Sequence, residues 1–553
     1  MNTNVFPILI IVLKIILVFL ALIIFISCFK SMQNHMRGKK VLIVLQDLHS
    51  KQEYPIFFWE NSIGRSKNCD LTIEDSAISR NHAVLFRRKD GWILSDTNSK
   101  SGTFVNGQKI KKNTKINLND TISFGETTLV LKKNSDSREN FSNSEVTNKI
   151  RPIKPARNLL LVTIFFVLSC TQTILDFKNI NINSIITILM FILLSWSFFA
   201  ISTIILKRCT FELETLAIFI SGIGLTLISY TNTLDAYLQL VAIGIGMLLF
   251  CFIIWFIKNP DFACKIRIFI SVLAILLFVF NLFFAKEING ARNWIKFGGI
   301  SFQPSEFIKI AFIFVGSSTL DKLQTTKNLT GFILFSAVCI GCLFFMKDFG
   351  TACIFFITFL VISFMRSGSL RTLILSCAAA ILGAFLIIMF KPYIKERFFV
   401  WRHVWDHVND LGFQQTRVLT YSASGGLFGV GIGNGYLKNI FAASGDLIFG
   451  IICEEMGLII AIIVAFIIAG FSFFAHAQNT KSRSVFYSIA SCSAATMLIF
   501  QSALHIFGIT DILPLTGVTL PFVSHGGSSI ISSFALLAFI KAADERTYAL
   551  KRI

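Results

Sequence analysis

Asp446 closes a glycine-rich stretch and opens an apolar one. It follows Ser424-Gly425-Gly426-Leu427-Phe428-Gly429-Val430-Gly431-Ile432-Gly433 and Ser444-Gly445, and precedes a run that reaches Cys453-Glu454-Glu455. A carboxylate at such a junction can take a proton from a hydroxyl as a general base, or can cap the following helix; its type allows both. A second cluster joins Gly290-Ala291-Arg292-Asn293-Trp294 to Gln303-Pro304-Ser305-Glu306-Phe307-Ile308-Lys309. Pro304 suits a helix start, and Glu306 and Lys309, three residues apart, share one helix face. Ionisable groups entering an apolar run face protein or water, either as substrate contacts or as a structural ion pair. A third segment, Leu513-Pro514 to Ser529, sets Ser524 and His525 among Pro and Gly, a composition that suits the lining of a groove. Gln414-Gln415 adds amides that could meet a polar substrate.

A separate constellation lies upstream: Gly64-Arg65-Ser66, Ser79-Arg80-Asn81-His82 and Ser99-Lys100-Ser101-Gly102-Thr103. Two guanidiniums, an ammonium and hydroxyls on three loops can converge on a phosphate dianion.

The elements that must hold these groups follow from composition. Over 553 residues the chain is 54% hydrophobic and 15% charged, too apolar for an ordinary soluble protein. Apolar runs recur near 158–175, 184–206, 212–230, 236–256, 266–285, 305–320, 330–346, 348–366, 370–391, 447–476, 483–506 and 527–543, which predicts about twelve membrane helices over 158–545. Another run, 5–29, has basic residues after it rather than before it and no cleavage signature, so it reads as a retained anchor helix. Between them, 41–133 alternates short apolar strands with Gly, Asn and Asp turns, an inserted all-β sandwich, and 134–157 is a polar, basic linker.

The net charge of +20 records topology. Half of it falls within residues 30–157, and much of the rest lies in alternate loops: Lys207–Arg208, Lys258 to Arg267, Lys322 to Lys327, Arg366 to Arg371, Lys481–Arg483 and the tail. The positive-inside bias then puts the β domain in the cytoplasm and the 392–446 loop outside the cell, with no nucleic acid needed to explain the charge. The twelve cysteines are scattered, without zinc spacing or a disulfide framework.

The β region resembles a forkhead-associated (FHA) domain. The resemblance implies that Arg65 and Ser79 contact a phosphothreonine phosphate, that Arg80, Lys100 and Ser101 contact phosphate or peptide backbone, and that His82 ties loops together. Ser101 stands where the family usually has Asn.

The membrane region resembles the SEDS family (RodA, FtsW and SpoVE) in GARNW, QPSE with Lys309, DFGTA at 348–352, SGGLFGVGIG, GDLIFGIICEE and LPLTG to LPFVSHGGSS. It has Ser444-Gly445 where the family has His-Thr and His525 where Tyr is frequent. The resemblance implies a polytopic α-helical membrane protein of SEDS type. It further implies a peptidoglycan glycosyltransferase that polymerises lipid II, the undecaprenyl-diphosphate-linked disaccharide peptide, beside a class B penicillin-binding protein. It matches Asp446 to the catalytic carboxylate and makes Arg292, Glu306, Lys309, Gln414 and Ser524 candidates for substrate contact. Arg292, Lys309 or a divalent cation (Mg or Mn) would offset diphosphate charge, although no DxD-type motif is present. The phosphothreonine partner would be a Ser/Thr kinase or its substrate. A lipid II flippase and a non-catalytic division scaffold remain alternatives.

Overall fold

The computed structural model describes residues 5–34, 41–56, 60–66, 69–88, 91–97, 99–110, 113–133, 155–175, 181–205, 210–258, 260–288, 291–297, 300–319, 326–367, 392–479 and 485–544, with short pieces near 370–381. The expected linker to residue 154 and most of the run at 370–391 lie outside the described residues.

Two sheets form the β domain. One orders the strands Glu53–Ile56, Ile43–Asp47, Thr127–Lys132, Thr121–Phe124, Thr103–Val105 and Gln108–Lys109; the other orders Leu71–Thr72, Glu60–Gly64, Ala83–Arg88, Gly91–Asp96 and Thr114–Ile116. Strict alternation, as in Thr121–Phe124 where Ile122 and Phe124 point inward, lets each sheet bury one face. Leu45, Ile63, Leu85, Leu94, Ile122, Phe124, Leu129 and Leu131 fill the space between the sheets, in a core separate from that of the helices.

The helices are α1 (Val5–Asn34), α2 (Pro155–Leu175), α3 (Ile182–Ala200), α4 (Glu212–Thr231), α5 (Thr233–Phe256), α6 (Pro260–Phe284), α7 (Pro304–Thr319), α8 (Thr326–Phe345) and α9 (Phe349–Ser367). After these come α10 (Pro392–Val400), α11 (Phe413–Gly425), α12 (Ala443–Asp446), α13 (Ile448–Ile451), α14 (Leu458–Asn479), α15 (Val485–Ile509) and α16 (Gly527–Ala542). Among the described residues eight are long and apolar enough to cross a membrane, and three shorter apolar helices, Thr330–Phe345, Phe349–Met365 and Gly527–Ala542, accompany them. The helix α4 is apolar all round because it is enclosed all round: 94% of its apolar window is buried.

Two expectations change. The run at 447–476 is not one helix. The chain makes α13 and a single π-helical turn over Ile452–Met456, then breaks at Gly457, whose φ is +94°, before α14 starts. A side chain at Gly457 would also sit 2.3 Å from the Leu427 carbonyl oxygen, so the glycine-rich stretch packs directly on the break. The helix α1, expected as an anchor over 5–29, runs to Asn34 and is a working member of the bundle. Leu17, Val18, Ala21, Ile24 and Cys28 are buried; Ser27 donates to the Asn158 side-chain oxygen and Ser31 to Glu212 Oε1, both at 2.8 Å. The β domain meets the bundle where the Val485 amide, at the start of α15, donates to Glu60 Oε2 at 3.1 Å.

Candidate functional site

A cavity of about 620 Å³ opens where α7, α9, α10, α12 and the 513–527 segment meet. Trp294, Glu306, Lys347, Asp348, Arg397, Asp446 and His525 are among its lining residues.

Asp446 is the last residue of the short helix α12 and does not cap the helix after it; no side-chain cap is made at the start of α13. Its segment is held from both sides. The Asp446 amide donates to the Ala442 carbonyl oxygen at 2.9 Å, the His525 amide to Ser444 O at 2.8 Å, and the Ser524 hydroxyl to Gly445 O at 2.6 Å. Burial pushes the Asp446 carboxyl up to about 6, and the Arg397 guanidinium opposes that rise. A carboxylate so tuned, on a cavity wall, can accept a proton from a bound hydroxyl near neutral pH. Arg397 is aimed by its bond to the Leu515 carbonyl oxygen at 2.7 Å, while the neighbouring Trp401 ring N–H donates to Ile512 O at 3.1 Å.

Asp348 takes the Thr351 amide at 3.1 Å. His525 Nδ1 stands 3.6 Å from Asp235 Oδ2, with burial holding the imidazole below its usual range.

The other residues singled out from the sequence divide. Glu306 lines the cavity; Lys309 is fully buried behind it, with Nζ at 2.8 Å from both Glu306 Oε1 and Gln501 Oε1, while Ser532 donates to Glu306 Oε2 at 2.5 Å. Lys309 is thus a buried structural partner and not a cavity cation. Arg292 is exposed, and its amide donates to Met346 O at 3.0 Å; its neighbours Asn293 and Trp294 line the cavity. Gln414 donates to Phe441 O at 3.2 Å, and Ser524 is 1% exposed, so both brace the wall instead of forming it. The cations lining the space are Lys347 and Arg397, which the sequence reading passed over. The charge pattern of the sequence puts both in segments expected opposite the basic loops, and a cation there, against the positive-inside bias, was the available signal. Among the described residues no group of three or more His, Cys, Asp and Glu side chains could hold a metal ion.

Glu454 and Glu455 lie away from this cavity's lining. Glu455 Oε2 accepts the Gly433 amide at 2.7 Å, and Glu454 accepts the amides of Tyr436 and Leu437 at 2.7 and 2.9 Å. They hold the glycine-rich loop in shape.

In the β domain the three loops do converge. The Arg65 amide donates to Ser79 O at 3.0 Å, the Ser66 amide to Arg80 O at 3.1 Å, and the Lys100 amide to Ser79 Oγ at 2.9 Å. Gly64 permits the approach, since a Cβ there would lie 2.3 Å from the Arg80 carbonyl oxygen. Buried His82 accepts the Ser79 amide at Nδ1 (3.1 Å) and faces Gly102 O from Nε2 (3.2 Å), which fixes its neutral tautomer; burial holds it below its usual range. Arg65, Arg80 and Lys100 stay exposed, while the Ser101 hydroxyl is turned inward to Ala77 O at 2.8 Å.

The family described as cell cycle protein, FtsW/RodA/SpoVE, matches residues 210–549, and the FHA domain matches residues 61–125. A probable peptidoglycan glycosyltransferase FtsW of Wigglesworthia glossinidia brevipalpis is 33% identical over 293 residues, 51% of this chain and 75% of that one. The peptidoglycan glycosyltransferase RodA of Mycobacterium leprae is 27% identical over 386 residues, 63% of this chain and 81% of its own. A chain from a peptidoglycan synthase complex that coordinates polymerization and crosslinking shares the fold at a TM-score of 0.51 and 24% identity, covering 60% of this chain and 96% of that one.

Proposed function

The chain belongs to the FtsW/RodA/SpoVE family of cell cycle proteins and is a multi-pass peptidoglycan glycosyltransferase with an FHA domain, and from its geometry we propose that it polymerises lipid II at the outer membrane face with Asp446 as general base. The observation that carries this reading is a half-buried carboxylate, raised towards neutral pH, on the wall of a large cavity that also holds Lys347 and Arg397.

The step needs one base and one countercharge. Asp446 takes the proton from the 4-hydroxyl of the acceptor sugar as that oxygen bonds to the donor's anomeric carbon. The bond from that carbon to the diphosphate oxygen breaks, and the undecaprenyl diphosphate leaves with the electron pair. A single displacement turns the α-linked donor into a β-1,4 product. Arg397 and Lys347 offset the charge gathering on the diphosphate in a site partly shielded from water. Glu306, held by Lys309 and Ser532, gives the wall a fixed acceptor for a sugar or peptide polar group.

The basic loops support a cytoplasmic FHA domain and an extracellular 392–446 loop. Exposed Arg65, Arg80 and Lys100 around Ser79 support phosphothreonine recognition, by which a kinase or its substrate would regulate polymerisation from inside the cell. A class B penicillin-binding protein is the expected partner for crosslinking.

The test is purified chain in lipid vesicles with lipid II, with and without a class B penicillin-binding protein, scoring glycan strands and lipid translocation separately. Strands are expected. Translocation without strands would establish a flippase instead.

A further inference from the structure

The helix α1 carries Lys14 about 14 Å from its first residue, at 1.5 Å rise per residue, well inside an apolar sequence. An ammonium at that depth costs free energy unless protein or water receives it. Here protein does: Nζ donates to the Gly429 carbonyl oxygen at 2.9 Å. The stem runs beside Gly431, where a Cβ would lie 3.5 Å from Lys14 Cε, and Lys14 lines a small pocket with Gln172, Phe428, Ile432 and Glu455.

Gly429 begins the part of the glycine-rich loop that leads to the reacting carboxylate. Its φ is +79°, and a Cβ there would meet the Glu455 carbonyl oxygen at 2.3 Å, so this backbone lies directly on the π-helical turn. From here the chain is laced to that turn. The Val430 amide donates to Glu454 O at 2.8 Å, Gly431 to Glu455 O at 3.0 Å, Gly433 to Glu455 Oε2 at 2.7 Å and Leu437 to Glu454 Oε2 at 2.9 Å. Leu437 opens the 3-10 turn Leu437–Asn439, and α12 with Asp446 follows. The opposite end of α1 is fastened through Ser27 and Ser31, and the chain then passes to the β domain at Ile43.

We propose that Lys14 is a positioning residue for glycosyl transfer: α1 uses it to hold the glycine-rich loop, and so fixes where the Asp446 segment sits on the cavity wall. The inference rests on the reading of Asp446 as the general base.

Hydrogen exchange on the full chain in lipid nanodiscs tests the tether without reference to activity. Lys14→Met should speed exchange of the 430–437 amides about tenfold, the loss expected for one hydrogen bond from a charged donor. Lys14→Arg should restore protection, and α15 amides should be unchanged in both. Lys14→Gln serves the same purpose if the methionine variant does not accumulate. Wild-type protection at 430–437 in the uncharged variant would overturn the proposal. In lipid II turnover, kcat should fall about tenfold in Lys14→Met with KM unchanged and recover in Lys14→Arg; a loss confined to KM would also overturn it. A wild-type chain that makes no glycan would refute the polymerase reading alone, since the exchange result still decides whether Lys14 holds the loop.

Discussion

The Ser524 hydroxyl donates to the Gly445 carbonyl oxygen at 2.6 Å, one residue before Asp446, while its oxygen accepts the Leu520 amide at 2.8 Å. Ser524 therefore joins the 513–527 segment to the segment that carries the carboxylate. Ser524→Ala removes that brace without touching the cavity surface. We expect kcat to fall roughly tenfold with KM for lipid II nearly constant, from the loss of one buried hydrogen bond and of alignment. Steady-state turnover of the two proteins side by side would decide it, and an unchanged kcat would show that the brace is dispensable.

Acid should silence the reaction as the Asp446 carboxyl takes up its proton. Burial raises its carboxyl to about 6, and a base works only when ionised, so turnover should rise as pH increases through about 6 and level off above it. Arg397 favours the ionised form. Arg397→Met should shift the acid limb to higher pH and lower the plateau about a hundredfold, as countercharge on the diphosphate is lost. A pH–rate profile that keeps its acid limb in the variant would remove Arg397 from this role.

The stability of the same carboxylate runs the other way. A raised folded pKa means that ionisation costs the fold, so stability declines as pH rises from the usual carboxylate range towards about 6. Asp446→Asn should therefore melt no lower than wild type at pH 7.5, which a thermal unfolding curve in detergent would show.

Lys309 and Glu306 should behave as a buried pair. Lys309→Met leaves the Glu306 carboxylate enclosed and unpaired, a loss of about 3–5 kcal/mol, whereas Lys309→Met with Glu306→Gln should recover part of it. Comparing melting temperatures of the single and double variants measures this; equal losses would show that the pair is not coupled.

In the FHA domain, Arg65→Ala should weaken binding of a phosphothreonine peptide at least tenfold, about 1.4 kcal/mol for a lost charge-assisted contact. His82 adds a pH sign. Its folded pKa is depressed, so the unfolded chain binds more protons, and domain stability should be lost as pH falls through the usual histidine range. Peptide titration by fluorescence anisotropy and amide exchange at pH 7.5 and 5.5 would test the two statements.

What the sequence made legible is uneven, for physical reasons. Arg65, Ser79 and Lys100 could be placed together because the three loop motifs that carry them resemble those of an FHA domain in order and spacing; the strand alternation alone shows only that they stand in loops. The apolar runs marked the helices because hydropathy reports what a span excludes. The same signal hid the break at Gly457, since a π turn followed by a new helix leaves mean hydropathy unchanged. Periodicity put Glu306 and Lys309 on one face but could not say that Gln501 and Ser532 stand opposite them. Lys14 lies inside the apolar run 5–29, and nothing local shows that Gly429, 415 residues away, offers its carbonyl. Lys347 and Arg397 were passed over because a basic residue near a membrane is first taken as a mark of topology.

The central claim is that Asp446 takes the acceptor proton. Purified wild-type and Asp446→Asn chains, at equal fold and equal phosphopeptide binding, should be given lipid II at pH 7.5 and their glycan strands counted. The variant should lose about a hundredfold to ten-thousandfold in rate. Strand formation by Asp446→Asn at the wild-type rate would contradict it.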